Sequence, residues 1–349
     1  MKKIIIHIGM HKTGTSSIQK AMKGYNDGES VYSSFDNENN SIPMFTIFSE
    51  NRYLYHPWKK LGLSAQQVEE KRAQFQYILD KDLENNLGKR NIIISGEDIS
   101  ILSKAEKYRM LKLFEKKGWD IEVIGFVRHP FEYASSNLQE HIKGGSKYIF
   151  EISTRFKEKI EPFVEYLGIN KVKVYDYDEL CLKYGDISEA FFALLGLKFT
   201  GTVRVNSSFS SGAIRLIYKL NSIPIYTFGN KSRISARNKF MRMASSCYPK
   251  ELSKPLDREI MASCLQKNFI NDVEYLEGKF KISYPIRKID KSITDIVNYI
   301  TDFSEFDFAN ILEYMNDLKL PYGSEPNVEE IVTLIYAKLL IEESIGDTD

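Results

Sequence analysis

The sequence has almost no excess of charge of either sign. Among its 349 residues, 48 Lys and Arg face 47 Asp and Glu. Domains that bind nucleic acid carry a clear basic excess, so we expect no nucleic-acid partner. Any anionic ligand must be bound by a local arrangement of groups, because the net charge attracts none.

Cysteine and long apolar runs are also scarce. The three cysteines lie far apart without C-x-x-C spacing, which argues against a disulfide framework and a structural zinc site. No stretch reaches the ~18 to 20 apolar residues that span a bilayer, and the apolar run at residues 4–8 is too short for a signal sequence. We therefore expect a cytoplasmic protein without a transmembrane segment.

The apolar pattern predicts an α/β fold. Four short runs are typical of buried strands: residues 2–8, 91–95, 122–127 and 171–175. Helical patterns lie between these runs. Strands that alternate with helices indicate a central parallel sheet with helices on both faces.

Local signals mark several helices. Ser64 and Gln67 form a capping box, and Gly88 stands where the C-terminal cap of the same helix is expected, which gives a helix of about six turns. Further helices are predicted over residues 104–117 and from Phe131 onward. Residues 24–60 show no periodicity and are predicted to form an irregular surface excursion.

The second half of the chain is predicted to be mainly helical. Helical patterns include residues 211–221 and 256–280, and Pro285 marks a joint. We expect an α/β domain over residues 1–285 and a helical C-terminal extension over residues 286–349, with amphipathic segments such as 328–341.

The first predicted strand leads into a loop suited to an anion. Gly9 and Gly14 have the G-x-x-x-x-G spacing of a Walker A loop, but Thr15 stands where that motif has lysine. The lysine lies inside the loop, as Lys12. Backbone N–H groups, the helix N-terminus and the side chains of Lys12, Thr13, Thr15 and Ser16 are the expected donors to one bound anion.

These residues resemble a known family. His7-Ile8-Gly9 followed by Lys12-Thr13-Gly14-Thr15-Ser16-Ser17 is similar to the 5′-phosphosulfate loop of sulfotransferases that use 3′-phosphoadenosine 5′-phosphosulfate (PAPS), in particular bacterial carbohydrate-type enzymes. The similarity extends over about residues 3–284. The resemblance implies a P-loop-like three-layer sandwich. It also places Gly9, Gly14 and Ser17 in the donor site, together with Lys12, Thr13, Thr15 and Ser16.

The resemblance also implies a reaction. PAPS is the expected donor, adenosine 3′,5′-bisphosphate the product, and a carbohydrate hydroxyl the acceptor, for example in a cell-surface glycan precursor. No metal ion is expected. A second match supports this: the third predicted strand is followed by Arg128, with Ser136 eight residues further on, and in the family an Arg and a Ser with this spacing hold the 3′-phosphate of the nucleotide.

The Arg128 match has a physical rationale. The guanidinium is a rigid fork that suits a phosphate dianion. Pro130 is typical of a helix start, which places Ser136 about two turns along that helix. Both residues then belong near the carboxyl ends of the strands, where open parallel sheets bind ligands.

Sulfuryl transfer requires a base and a cation. Lys12 is the residue expected to stabilise the charge on the leaving oxygen. Glu97 directly follows the second predicted strand and is the expected general base, as implied by the catalytic Glu of related carbohydrate sulfotransferases; Asp98 is the second choice. His129 and His141 stay open as alternatives, because other branches of the family use histidine.

Two further readings remain open. An ATP-dependent small-molecule or glycan kinase would share the loop architecture, although the lysine after Gly14 is absent and only Asp98 offers itself for Mg²⁺. A non-catalytic protein that binds nucleotide or glycan would keep the fold without the reaction. The basic stretch at residues 231–239 suits either a flexible segment that closes over an anion or a solvated helix face.

Overall fold

The computed structural model describes residues 2–33, 35, 37–199, 201, 209–223, 231–249, 256–286, 288–325 and 327–346. Within these residues, five parallel strands form one sheet in the order β2-β3-β1-β4-β5. Their bounds are β1 (Lys3–His7), β2 (Ser30–Tyr32), β3 (Asn91–Ser95), β4 (Asp120–Val127) and β5 (Val172–Asp176). The predicted α/β fold with a parallel central sheet is confirmed.

Helices alternate with the strands in the first half of the chain, and the second half is mainly helical. The α-helices are α1 (Thr15–Met22), α2 (Ser41–Phe48), α3 (His56–Lys60), α4 (Ala65–Asn85), α5 (Lys104–Lys116), α6 (Pro130–Lys143), α7 (Phe156–Leu167), α8 (Tyr177–Tyr184), α9 (Ile187–Leu195), α10 (Ser211–Ser222), α11 (Lys231–Cys247), α12 (Arg258–Met261), α13 (Phe269–Phe280), α14 (Ile293–Thr301), α15 (Ala309–Asp317) and α16 (Val328–Gly346). Short 3-10 helices span Arg52–Leu54, Glu97–Ile101, Ile169–Lys171 and Ala262–Cys264.

Strand β1 lies at the centre of the sheet. It pairs with β3 on one side and β4 on the other, so that His7 stands opposite both Ser95 and Ile124. Its isoleucines are buried because helices cover both faces of a parallel sheet. The loop that follows β1 is consequently flanked by the chain segments that leave β3 and β4.

The region from residue 24 to 60 is more regular than predicted. It contributes the edge strand β2 and the helices α2 and α3. Helix α2 has the sequence SIPMFTIF, and seven of its eight residues are buried. A helix buried on all sides has no polar face and so no amphipathic period, which explains why the pattern missed it.

The predicted helix after Ser64 is confirmed, but its end was wrong. Both hydrogen bonds of the Ser64–Gln67 capping box are present, and α4 runs for 21 residues. The helix ends at Asn85 with Asn86 as the C-cap, so Gly88 lies beyond it. The single helical stretch predicted over residues 256–280 was also wrong, since α12, a 3-10 helix and α13 divide it.

The chain forms two compact units that alternate along the sequence. The first comprises residues 1–129, 155–206 and 268–286, and the second comprises residues 130–154, 207–267 and 287–349. The sheet belongs to the first unit, where Ile5, Ile93, Phe126 and Phe191 share one apolar core. Residues 286–349 were predicted as a separate extension, and this division stays a prediction.

The second unit includes the basic stretch at residues 231–239, which lies in α11. Its Arg237 is buried and donates to the backbone carbonyls of Ile142 and Lys143 at 2.9 and 2.8 Å, at the C-terminus of α6. Of the two alternatives for residues 231–239, the structure thus favours the helix, and one of the cations of this stretch caps another helix. Along the described parts of the chain, no helix combines the length and apolarity needed to cross a bilayer.

Candidate active site

The loop between β1 and α1 is built from left-handed backbone conformations. Gly9, Lys12 and Gly14 have φ angles of +42°, +71° and +71°. Glycine adopts such angles readily, whereas a lysine there is uncommon and strained. The chain thus turns sharply from the sheet into the helix, with Lys12 held half-buried within the turn.

The two glycines also leave room that a side chain would fill. A Cβ atom at Gly9 would lie 2.5 Å from Thr15 Oγ1, and one at Gly14 would lie 2.5 Å from Ile187 Cγ2. The Thr15 hydroxyl is buried and has no hydrogen-bond partner among the described residues. A buried hydroxyl without a partner is costly, so the loop offers a donor that a bound anion would satisfy.

The remaining loop residues have distinct environments. The Thr13 N–H and hydroxyl both donate to the carbonyl of Met10, at 3.2 and 2.6 Å, so Thr13 shapes the loop and its contact with an anion stays a prediction. Ser16 is exposed and Ser17 is buried. The first turn of α1 has no acidic residue, which leaves its open N–H groups and positive end available to an anion.

The segment that leaves β3 brings two carboxylates to this loop. Glu97 Oε2 lies 3.4 Å from His11 Nδ1, and Asp98 Oδ1 lies 3.7 Å from His11 Nε2. One ligand atom from each of these three residues lies within 4.8 Å of the others. His11 therefore links the anion loop to both candidate bases, and the same three side chains have the spacing that a divalent cation would accept.

Burial distinguishes the two carboxylates. Asp98 Oδ2 accepts a hydrogen bond of 2.5 Å from the Tyr55 hydroxyl, and the Asp98 N–H donates to Ser41 Oγ. Burial raises the pKa of Asp98 above its usual value, against the opposing effect of the Tyr55 bond. The side chain of Glu97 is 29% exposed and that of Asp98 only 9%. An incoming hydroxyl can reach Glu97 more easily.

Gly96 stands between β3 and Glu97, at a point of close backbone contact. A Cβ there would lie 2.7 Å from the backbone nitrogen of Ser41. Gly96 thus lets the N-terminus of α2 approach β3. The approach is fixed by a hydrogen bond of 3.0 Å from the Asn40 N–H to the Ser95 carbonyl.

Arg128 leaves β4 on the other side of the loop. Its Nε donates to both carboxylate oxygens of Asp178, at 3.2 and 3.3 Å, and its guanidinium lies 5.1 Å from the ring centroid of Tyr177. Tyr177 and Asp178 directly follow β5, so they come from the next strand along the same edge. Arg128 is consequently oriented by a carboxylate and an aromatic face, and 22% of its side chain is exposed.

The other predicted residues lie apart from this group. Ser136 is half-buried on α6, in the second unit, whereas Arg128 belongs to the first, so their pairing stays a prediction. The ring of His129 packs against Tyr284, 5.2 Å away. His141 is exposed on α6 and contacts the ring of Phe150.

The sheet edge thus gathers Lys12 and its loop, Glu97 and Arg128 from three neighbouring strands. Sequence analysis did not assign a role to His11, Tyr55 or Asp178. Asp178 carried a usable signal, since it follows a predicted strand by only three residues. Tyr55 carried none, because it lies in a region without periodicity and reaches Asp98 only through the fold.

Fold and site together define a parallel α/β protein in which a glycine-containing loop joins the central strand to the following helix. No protein-family profile and no curated protein matches the sequence. Among solved structures, the chain is similar to a sulfotransferase from Alicyclobacillus acidocaldarius, with a TM-score of 0.37 and 12% identity over 63% of this chain and 90% of that one. Similarity at this level carries no argument about the reaction of this chain.

Proposed function

We propose that this chain transfers the sulfuryl group of PAPS to a hydroxyl of a carbohydrate acceptor. The observation that carries the proposal is the loop after β1, where Gly9 leaves space beside the unsatisfied Thr15 hydroxyl at the N-terminus of α1. Such a site suits a small oxyanion. A carboxylate and a guanidinium from the two neighbouring strands supply the groups that a transfer reaction on that anion needs.

The residues of the loop fit the phosphosulfate end of PAPS. Backbone N–H groups, Thr15 and Ser16 would hold it, with Lys12 directed at the oxygen that becomes negative when the sulfuryl group leaves. PAPS supplies the activated sulfuryl group. Arg128 and Ser136 are assigned to the 3′-phosphate, and this assignment rests on the resemblance. A phosphate there would share the Arg128 guanidinium with Asp178.

Glu97 is proposed as the general base that takes the proton of the acceptor hydroxyl. Its exposed carboxylate adjoins the loop, and His11 beside it holds its orientation. Asp98 is less suited, because the Tyr55 hydrogen bond and burial commit it to the protein interior. His129 remains the histidine alternative, although its ring packs against Tyr284.

Phosphoryl transfer from ATP is the second candidate. The spacing of His11, Glu97 and Asp98 favours it, since three ligand atoms within 4.8 Å can hold a divalent cation. Mg²⁺ prefers oxygen ligands in an octahedral arrangement, and one of the three ligands here is an imidazole. We therefore prefer PAPS to ATP as the donor.

Calorimetry and a transfer assay separate the candidates. We expect adenosine 3′,5′-bisphosphate to bind at least about tenfold more tightly than AMP or ATP, a difference of about 1.4 kcal/mol, because only the bisphosphate carries the 3′-phosphate assigned to Arg128. Tight ATP binding that requires Mg²⁺ would move the assignment to a kinase. Bisphosphate binding without transfer of labelled sulfate to any member of a glycan panel would indicate a non-catalytic binding protein.

A further inference from the structure

A cleft with a volume of about 880 Å³ lies within the first unit, beside the 3-10 helix that begins at Glu97. Its walls are the end of α2 with the residues that follow it, the far end of that 3-10 helix, the first turns of α5 and α13, and most of α7. Ile101 lines it and lies about 8 Å along the 3-10 helix from Glu97, at ~2.0 Å per residue. The same 3-10 helix therefore carries the proposed base at its first residue and contributes to the wall of the cleft at its end.

The cleft is lined by a buried lysine that lacks an acidic partner. Lys107 is only 2% exposed, and its Nζ donates to the carbonyl of Lys159 at 3.0 Å and lies 5.2 Å from the ring centroid of Phe163. Among the described residues, no carboxylate oxygen lies within ion-pairing distance of this Nζ. An ammonium group has three donors, and burying it without a counter-charge is costly.

Six carboxylates line the cleft, and the two whose charge acts on Lys107, Glu106 and Glu158, have partners of their own. On the same helix, Glu106 accepts the backbone N–H of Glu50 and that of Ser103, each at 2.7 Å. On α7, Glu158 forms an ion pair with Arg155. Both carboxylates therefore have their own partners, and neither neutralises Lys107 by direct contact.

A second buried cation adds to the charge around Lys107. Lys159 of α7 also lines the cleft and is 6% exposed. The pKa of Lys107 is lowered to about 7, mainly by burial and in part by the charges of Lys159 and Arg155, while Glu158 and Glu106 oppose the shift. Burial likewise lowers the pKa of Lys159 to about 8, and the carboxylates that oppose this include Asp272 and Glu97.

We propose that this cleft binds an anionic group of the acceptor, a carboxylate or a sulfate on a sugar, with Lys107 as its cationic partner. The proposal rests on the proposed function, because it names the acceptor as an acidic carbohydrate. The rest of the lining offers hydrogen-bonding groups to sugar hydroxyls: the amides of Asn51, Asn268 and Asn271 and the carboxylates of Glu50, Glu161, Glu165 and Asp272. Glu97 begins the 3-10 helix whose far end lines the cleft, so we expect the sulfated hydroxyl to lie on a sugar linked to the one that carries the anion.

This arrangement makes binding depend on pH. An anion beside Lys107 favours the charged amine and so raises its pKa from about 7. The Lys107 amine must then take up protons on binding at any pH at which the free amine is partly neutral. The affinity for an acidic sugar is expected to be constant well below pH 7 and to fall as the pH rises above about 7.

Titration calorimetry with three oligosaccharides of equal length tests the proposal: galacturonate, sulfated galactose and neutral galactose. We expect the preferred acidic oligosaccharide to bind at least about tenfold more tightly than the neutral one, which corresponds to about 1.4 kcal/mol. The tighter of the two acidic probes identifies the anion. Titrations at pH 8 in buffers of different ionisation enthalpy should also reveal proton uptake. Equal affinities for all three probes, or binding without proton uptake, would overturn the proposal.

Variants assign the effect to the residue. Lys107→Met keeps the length of the side chain over Phe163 but removes the charge, and it should abolish both the acidic preference and the proton uptake. Lys104→Met is the matched control, because Lys104 lies on the same helix at the exposed rim and is paired with Glu165. If Lys107→Met fails to fold, the proton uptake of the unaltered protein still tests whether a buried amine of the cleft, Lys107 or Lys159, becomes charged on binding.

A folded Lys107→Met variant that keeps the acidic preference would contradict the role of Lys107. These titrations need neither donor nor turnover. Binding of the acidic oligosaccharide without binding of adenosine 3′,5′-bisphosphate would support this inference and contradict the proposed function. Binding of the bisphosphate without binding of the acidic oligosaccharide would contradict only this inference.

Discussion

Replacing Gly14 by alanine isolates the space that the anion loop requires. Gly14 and Gly24 have nearly identical φ angles, +71° and +69°. A Cβ at Gly14 would lie 2.5 Å from Ile187 Cγ2, whereas a Cβ at Gly24 would have no atom within 4 Å. The Gly24→Ala variant therefore carries the same backbone strain as Gly14→Ala without the collision.

The magnitudes follow from these two contributions. A left-handed alanine costs about 1–2 kcal/mol in either variant. Forcing an extra methyl group into a packed position costs about 1–3 kcal/mol more, and this applies only at Gly14. The thermal midpoint of Gly14→Ala should consequently lie about 2–6 °C below that of Gly24→Ala, at roughly 2 °C per kcal/mol for a large chain.

Binding should separate the variants further. Displacing Gly14 moves the N-terminus of α1, whose N–H groups are proposed to hold the anion, so we expect Gly14→Ala to bind adenosine 3′,5′-bisphosphate at least about tenfold more weakly. Gly24→Ala should bind it as the unaltered protein does. Scanning calorimetry and titration calorimetry measure the two effects. Equal loss of stability in both variants would show that the contact with Ile187 does not constrain the loop.

Three further changes test the site and the core. Lys12→Met should lower the transfer rate about 10²- to 10³-fold while weakening bisphosphate binding less than about tenfold, because the charge matters most when the leaving oxygen turns negative; near-normal turnover would remove Lys12 from the mechanism. Glu97→Gln should lower turnover about 10²- to 10⁴-fold with nucleotide affinity unchanged. Asp98→Asn and His129→Asn serve as its comparisons, and full activity in Glu97→Gln with loss in His129→Asn would make the histidine the base. Burial lowers the pKa of His7 from 6.5 to about 3, so the unfolded chain takes up the proton first and stability falls as the pH drops from about 6.5 towards 3. His7→Gln should show a shallower decline in urea titrations between pH 7 and 4, and an unchanged slope would mean that other groups govern the acid sensitivity.

Much of the fold was legible in the sequence because its signals are local. The run of isoleucines in β1 predicts a strand that is buried on both faces, and these isoleucines are buried in the sheet. The capping box at Ser64 needs only residues three apart. The sharp turn after β1 could also be predicted, since both of its glycines occupy left-handed conformations that other residues avoid.

Features that depend on tertiary contacts could not be predicted from the sequence. Helix α2 has no polar face, so its sequence does not show which neighbours bury it. Strand β2 is three residues long and is held by pairing with β3, a partner about 60 residues away in the sequence. The close contact at Gly96 likewise depends on tertiary structure, because the backbone that approaches it comes from Asn40 and Ser41.

The sequence by itself determined the parallel α/β architecture, the conformation of the loop after β1, and the positions of Glu97 and Arg128 immediately after two strands. The tertiary structure alone decided that these strands flank β1 on either side. It also decided that His11 lies between Glu97 and Asp98, that Asp178 orients Arg128, and that Lys107 is buried beside the cleft. Patterns along the chain record backbone preference and burial, whereas contacts between distant side chains depend on the order of the strands and on packing.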